Sequence, residues 1–359
     1  MSRVTSIIRE DAQHLVSRLA GQLDPLAGTT MLVTGAGGFL CSSLLDFVAA
    51  LNDACAAPPC RVIGLDNFQS GLPERVEHLR DRPDVRFVTH DLRQPFDPGE
   101  PVDWIVHGAS IASPVFYRRF PLETIDVNVS GTRHMLDLAR CGARSVLVLS
   151  TSEIYGDPDP AWIPTPEEYR GYVSCTGPRA CYDESKRLAE TLATTYFALY
   201  RTPVKIIRPF NVYGPGQRID DGRIVPDLMQ AALKRQPIVL YSDGRATRSL
   251  CYVRDAVAAM LRLLLSDHDG EAFNVGNDEE EIAMGALAER MADVAAPPRL
   301  AVEYRASADH HYTTDSPQRR CPNLDKLRRA TGWQPEVGLD DGLGRTLQSY
   351  RELEAAVGR

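Results

Sequence analysis

The sequence predicts an α/β protein, a doubly wound parallel sheet joined to a smaller, mostly helical C-terminal unit. Two observations carry that expectation. Short β-rich runs alternate with helical stretches from Thr30 to about residue 209, after which helices dominate. Several of the β-rich runs are also almost continuously apolar, as strands must be when helices cover both faces of their sheet.

In chain order, residues 4–19 place Val4, Ile7, Ile8, Leu15, Val16 and Leu19 at loosely helical spacing, so residues 1–28 read as a helical extension. The strand candidates are TMLVT (30–34), RVIGL (61–65), VRFVT (85–89), DWIVH (103–107), SVLVLS (145–150) and VKIIR (204–208). Helical segments lie near 39–51, 122–140 and 182–200, which makes residues 29–209 a Rossmann-like, dinucleotide-binding unit. Residues 210–359 read as a second unit that interleaves with the first and completes a cleft at the carboxyl ends of the strands. Its helices are expected near 224–234, 254–265, 281–294 and 341–356, with short strands at IVLY (238–241) and AFNV (272–275).

Composition excludes several classes. The 359 residues are 43% hydrophobic and 25% charged, enough for a substantial core and ordinary for a soluble globular protein. A formal net charge of −8 argues against a general nucleic-acid binder, although a local cluster of arginines can still hold phosphates. No run reaches the ~18 apolar residues of a membrane span. Arg9, Glu10 and Asp11 stand where a secretory signal needs an apolar core, so a cytoplasmic protein is expected. The cysteines, Cys41, Cys55, Cys60, Cys141, Cys175, Cys181, Cys251 and Cys321, form no CxxC pair and read as reduced thiols, not as a disulfide framework or a metal site.

The first strand runs directly into Gly35-Ala36-Gly37-Gly38-Phe39-Leu40-Cys41. The tight strand-to-helix turn needs Gly35, and Gly38 lets backbone amides approach a pyrophosphate at the helix N-terminus. A glycine cluster can be a plain structural turn. Here a strand precedes it, a helix follows it, and a second strand ends in Asp66, whose carboxylate can accept both ribose hydroxyls and repels a 2′-phosphate, favouring NAD over NADP. Asp91, after the third strand, is a candidate adenine partner or an ordinary loop aspartate.

Tyr182 and Lys186 stand four residues apart and so share one face of a helix. A phenol of ordinary pKa ~10 is a poor base at neutral pH, and a nearby ammonium favours its phenolate. That assigns Lys186 to the charge and to the nicotinamide ribose, and Tyr182 to proton exchange with a sugar hydroxyl. Thr151, in the segment Ser150-Thr151-Ser152 at the end of a strand, is placed to hydrogen-bond the same hydroxyl. Glu153 adds an ionisable group suited to chemistry beyond hydride transfer, unless it is a loop carboxylate paired elsewhere.

The combination of TGAGGFL, Asp66-Asn67, HGASIASPVFY (107–117), STSEIYGDP (150–158), GPRACYDESK (177–186), RPFNVYGP (208–215) and DGRIVP (221–226) resembles the UDP-glucuronate decarboxylase, or UDP-xylose synthase, family of extended short-chain dehydrogenase/reductases. The resemblance spans roughly residues 30–345, and GPRACYDESK and DGRIVP are its more specific motifs. It implies a bound NAD contacted by Gly35, Gly38, Phe39, Leu40, Asp66, Asn67, Asp91, Leu92, Ala109, Tyr182 and Lys186. It also implies oxidation of the sugar C4 hydroxyl with Tyr182 as base and Thr151 and Lys186 assisting. The C6 carboxylate, β to the new ketone, then leaves as carbon dioxide through an enolate that is reprotonated at C5 before C4 is reduced again. By the same pattern Glu153 and Arg320 attend decarboxylation and reprotonation, Asn211, Arg223 and Arg248 hold the uracil–diphosphate end, and Tyr117 lies at the substrate. Singly, Arg223 and Arg248 also read as surface residues.

Ser152-Glu153 is the pairing that the resemblance associates with decarboxylation. Dehydratases of the wider group carry Asp-Glu there, and 4-epimerases usually have a small residue in place of Glu153. A nucleotide-sugar 4-epimerase or dehydratase using the same cofactor and tyrosine is the alternative reading. The resemblance further implies a homodimer packing segments 122–140 and 182–200. Three features depart from the pattern: Cys41 replaces the third glycine, Arg320-Cys321-Pro322 keeps the arginine but not the following lysine, and the N-terminal extension and the 51–60 insertion have no counterpart.

Overall fold

The computed structural model describes residues 4–55, 58–306 and 317–357. The apolar runs become strands β1 (Thr30–Thr34), β2 (Arg61–Asp66), β3 (Val85–Thr89), β4 (Trp104–His107), β5 (Ser145–Leu149) and β6 (Val204–Pro209), joined by β7 (Ala272–Val275). They form one seven-stranded sheet in the order β7-β6-β5-β4-β1-β2-β3, with every pair parallel. Every residue of β1 and β5 is buried, which is why these sequences carry no polar alternation. The strand order reverses between β1 and β4, and a crevice opens there at the carboxyl ends.

The AFNV run, grouped with the C-terminal unit on its place in the sequence, is β7 of this main sheet, with Phe273 opposite Ile207. The helix Val253–Leu264 packs on β5 and β6 and serves as the crossover that returns the chain parallel to β6. Periodicity identifies a four-residue strand without saying which sheet it joins.

The extension is helix α1 (Ser6–Arg18), capped at its start by the Thr5 hydroxyl, which accepts from Ile8 N at 3.3 Å. Ile7, Ile8 and Leu15 are buried, and the helix packs on α2 (Phe39–Ala54), on the crossover helix and on the C-terminal helix Leu339–Val357. Buried Asp11 accepts from Tyr252 Oη at 2.7 Å and from Arg345 Nη2 at 2.8 Å, and Arg18 Nη1 donates to Asp255 at 2.9 Å. The extension is therefore an integral wall of the fold.

The predicted 122–140 helix divides into Pro121–Asp126, a π-helical turn Val127–Gly131 and Thr132–Ala139. Beyond residue 210, helices Ile224–Lys234, Met284–Val294 and Leu339–Val357 pack on one another. A three-stranded sheet, Glu281–Ala283, Thr247–Ser249 and Arg319–Arg320, sets Arg248 directly opposite Arg320. Among the described residues no helix is long and apolar enough to cross a membrane.

Candidate active site

Two adjoining cavities, of about 160 and 500 Å³, run along the carboxyl ends of the strands. The smaller is built by backbone. β1 is followed by Gly35 at φ +70°, and a Cβ there would lie 2.9 Å from the backbone of Ala109. The chain then enters α2 at Phe39 with Gly38 as its cap and no side-chain cap, so its first N–H groups stay free for an anion. At the end of β2, Asp66 Oδ2 accepts from Gly37 N at 2.8 Å and Oδ1 from Phe68 N at 2.7 Å. Burial raises the Asp66 carboxyl, against these amide donors. Gly35, Gly38, Phe39, Asp66, Asn67, Asp91, Leu92 and Ala109 all line this cavity, and Leu40 lines the larger one. Asp91 is held by Arg93, with Nε at 2.8 Å and Nη2 at 2.6 Å.

Cys41, where a third glycine was expected, is accommodated across the sheet end. A Cβ on Gly108 would fall 2.3 Å from Cys41 Sγ, so the missing side chain at 108 makes room for the thiol. The Sγ donates to Thr34 O at 3.4 Å, and burial pushes the thiol up to about 12, which keeps it protonated.

The larger cavity is built by side chains. Thr151, Ser152, Glu153, Tyr182, Lys186, Tyr117, Asn211, Arg223, Arg248 and Arg320 all line it. Helix α3 (Ala180–Tyr200) presents Tyr182 and Lys186 on its buried face, and the Tyr182 ring stacks on Tyr117 with centroids 5.2 Å apart. Lys186 is anchored on the sheet end. Its Nζ donates to Leu149 O at 2.8 Å, and burial lowers the ammonium to about 8. Burial raises the Tyr182 phenol, opposed by a hydrogen bond with the Thr151 side chain and by the charge of Arg223.

Glu153 is the centre of charge. Arg320 grips both of its oxygens, with Nη2 2.7 Å from Oε2 and a second bond from Nη1 to Oε1, while Arg179 donates to Oε2. Burial alone would raise this carboxyl, but Arg320 and Arg179 outweigh it and hold the group well below the usual range, with Arg248 adding to the field. Arg248 thus stands beside Glu153, and burial lowers it to about 10. Arg223, at the junction of the cavities, donates from Nη2 to Ala112 O at 2.8 Å and pairs with Asp221 at 3.2 Å. Asn211, at φ +42°, donates to Ser249 O at 3.2 Å.

Sequence reasoning gave no role to Arg179 or Asp183, although both lie inside the quoted GPRACYDESK motif. It also missed the support behind the 150–155 segment. Glu190, one helical turn beyond Lys186, accepts from Ser150 Oγ and from Arg208 Nη2 at 2.6 Å, and Arg208 Nη1 donates to Tyr155 Oη at 2.7 Å. These bonds fix the loop that carries Thr151 and Glu153.

The smaller cavity suits a dinucleotide: the uncapped start of α2 and a carboxylate at the end of β2 line it together, beside a glycine turn that leaves no room for a side chain at position 35. No group of His, Cys, Asp and Glu able to hold a metal occurs among the described residues.

A parallel sheet of this order with a glycine turn at its switch point and a Tyr-Lys pair on one helix face defines a dinucleotide-binding enzyme class. The chain belongs to the NAD dependent epimerase/dehydratase family, whose model matches residues 31–276. It is 40% identical over 326 residues to UDP-glucuronic acid decarboxylase 2 of Arabidopsis thaliana, covering 90% of this chain and 69% of that protein. It is 37% identical to UDP-glucuronic acid decarboxylase 1 of Danio rerio, covering 90% and 73%. Among solved structures, a dTDP-glucose 4,6-dehydratase of Streptomyces venezuelae with NAD bound superposes with a TM-score of 0.77 at 27% identity, covering 91% of this chain and 98% of the other.

Proposed function

We propose that this protein decarboxylates UDP-glucuronate, or a related UDP-hexuronate, through a 4-keto sugar, with residues 210–359 supplying most of the nucleotide-sugar half of the cleft to the NAD-binding half at 29–209. The observation that carries the reading is Glu153, partly buried and clamped by Arg320 and Arg179 in the cavity that Tyr182 faces. A plain 4-epimerase has no use for such a charge centre, and Ser152 offers a dehydratase no acid. The decarboxylase relatives support the same choice.

The glycine turn, Asp66 and Lys186 would hold NAD, which would supply the hydride acceptor for C4. Tyr182 Oη takes the C4 hydroxyl proton while Thr151 hydrogen-bonds the same oxygen. Lys186, buried and bonded to Leu149 O, holds its place for the nicotinamide ribose. Arg320 orients the C6 carboxylate and Arg248 the diphosphate, for which guanidinium forks are suited. Glu153 attends the loss of carbon dioxide and the return of a proton to C5. Arg223 and Asn211 are positioned for the nucleotide.

The protein acts as a homodimer in the cytoplasm. Leu122, Ile125, Leu188 and Leu199 are exposed apolar residues on the packed helices 121–139 and 180–200, a face suited to a second copy, and the eight cysteines are all unpaired. The test is to incubate purified protein with a panel of nucleotide sugars and weigh the products. The expected result is a product lighter than UDP-glucuronate by one carbon dioxide. Loss of water would indicate a dehydratase, and a product of equal mass an epimerase.

A further inference from the structure

Arg179 stands immediately before helix α3 and faces two carboxylates at once. Its Nη2 donates to Glu153 Oε2, the oxygen that Arg320 Nη2 also reaches at 2.7 Å. Its Nε lies 3.5 Å from Asp183 Oδ2, one helical turn on, close enough for charge attraction but outside hydrogen-bond geometry. Arg179 Nε and Asp183 Oδ1 are both buried with no hydrogen-bond partner among the described residues. Buried donors and acceptors are seldom left unmade, so the guanidinium has a second pairing available that it does not complete while it holds Glu153.

We propose that Arg179 is a positioning residue shared between Glu153 and Asp183, holding Glu153 while that carboxylate is charged and turning to Asp183 when Glu153 carries a proton. The inference rests on the decarboxylation reading, in which Glu153 attends reprotonation. Glu153 takes a proton from solvent and gives it to C5, where the electron pair of the enolate forms the new C–H bond. Glu153 is then an anion again and draws Arg179 back. Asp183 supplies the counter-charge in the interval, so a buried guanidinium is never left without an anion.

The surrounding charges agree. Arg320 and Arg248 approach from the strands 319–320 and 247–249, and Tyr117 and Tyr182 complete the enclosure. Burial raises the Asp183 carboxyl and the Glu153 charge raises it further, against Arg179 and Arg320, whereas Glu153 is held low. Two carboxyls sharing cations in this way titrate as a pair with separated steps.

The test follows carbon dioxide release and NADH absorbance together, in single turnovers of the NAD-loaded enzyme on UDP-glucuronate across pH. Arg179→Gln is expected to slow carbon dioxide release at least ~tenfold relative to C4 oxidation. It should also move the acid limb of that release to higher pH, because a cation favouring the charged carboxylates is gone. Arg179→Lys should bring the limb back toward its original place. Asp183→Asn removes the higher step of the pair, so the limb should disappear. A limb unmoved in Arg179→Gln, a limb moved the same way in Asp183→Asn, or C4 oxidation slowed as much as carbon loss would overturn the inference. Absence of carbon dioxide from the unaltered enzyme would overturn the decarboxylase reading and this inference with it, so the two failures are distinguishable.

Discussion

The two ends of the cleft are built from different materials. At the cofactor end, position comes from the main chain: a glycine turn, the open start of α2, and a carboxylate whose two oxygens are held by the amides of Gly37 and Phe68. At the substrate end, position comes from long charged side chains gathered from distant segments, with Glu153 gripped by Arg320 across 167 residues of sequence. The first kind of site is rigid because its parts are strands and turns. The second depends on charges satisfying one another, so the loss of one member disturbs all.

This contrast is sharpest at Tyr182, which belongs to the reaction but not to the cradle. Tyr182→Phe should lower turnover by at least ~10²-fold, the usual worth of a placed proton-transfer group. The NAD content of the purified protein should stay unchanged, as measured by absorbance after denaturation. Loss of NAD would show that the two ends are not separable.

Glu153→Gln probes the charged end directly. With the carboxylate gone, Arg320 and Arg179 lose their shared anion, and the unfolding free energy should fall by about 1–3 kcal/mol. NADH absorbance should build up in single turnovers while carbon dioxide release lags. A variant forming product at the wild-type rate would falsify the role given to Glu153.

The backbone end has its own weak point at Gly108. Gly108→Ala should cost about 1–3 kcal/mol through overpacking against Cys41. Adding Cys41→Gly should recover most of that loss in urea unfolding, a coupling that independent sites would not show. The smallest effect is expected at Asp66. Asp66→Ala should weaken NAD about tenfold and narrow the preference against NADP, since the ribose acceptor and its repulsion of phosphate vanish together. Unchanged affinity for both cofactors in titrations would place the ribose elsewhere.

The same contrast explains what the sequence made legible. Gly35, Asp66 and the Tyr182–Lys186 pair sit in a turn, at a strand end and on one helix face, geometries set by neighbouring residues and therefore readable from spacing. The sheet was legible for the same reason, its buried strands being continuous apolar runs. The placement of β7 was not, because a four-residue run does not state its partner. Nor was the setting of Arg248 opposite Arg320, which depends on the register of two short strands. Spacing placed Lys186 on the Tyr182 face but could not show that its ammonium is bonded to Leu149 O, a contact between a helix and a strand end. The Cys41 departure became intelligible only with Gly108 beside it.

Helix α1 carries a consequence for the order of events during synthesis. Its polar anchors come from late in the chain: Tyr252 and Arg345 on Asp11, Asp255 on Arg18, Ser349 on Thr5 and Glu352 on Ser6. Chains emerge from the ribosome at roughly 5–20 residues per second, and early segments ordinarily settle first. Here a segment made early must wait for residues made more than two hundred positions later before Asp11 and Arg18 find their partners. Until then α2, made soon after, is the main neighbour available to cover its apolar face, Ile7, Ile8 and Leu15, and the crossover and C-terminal helices complete that cover only when they have been made.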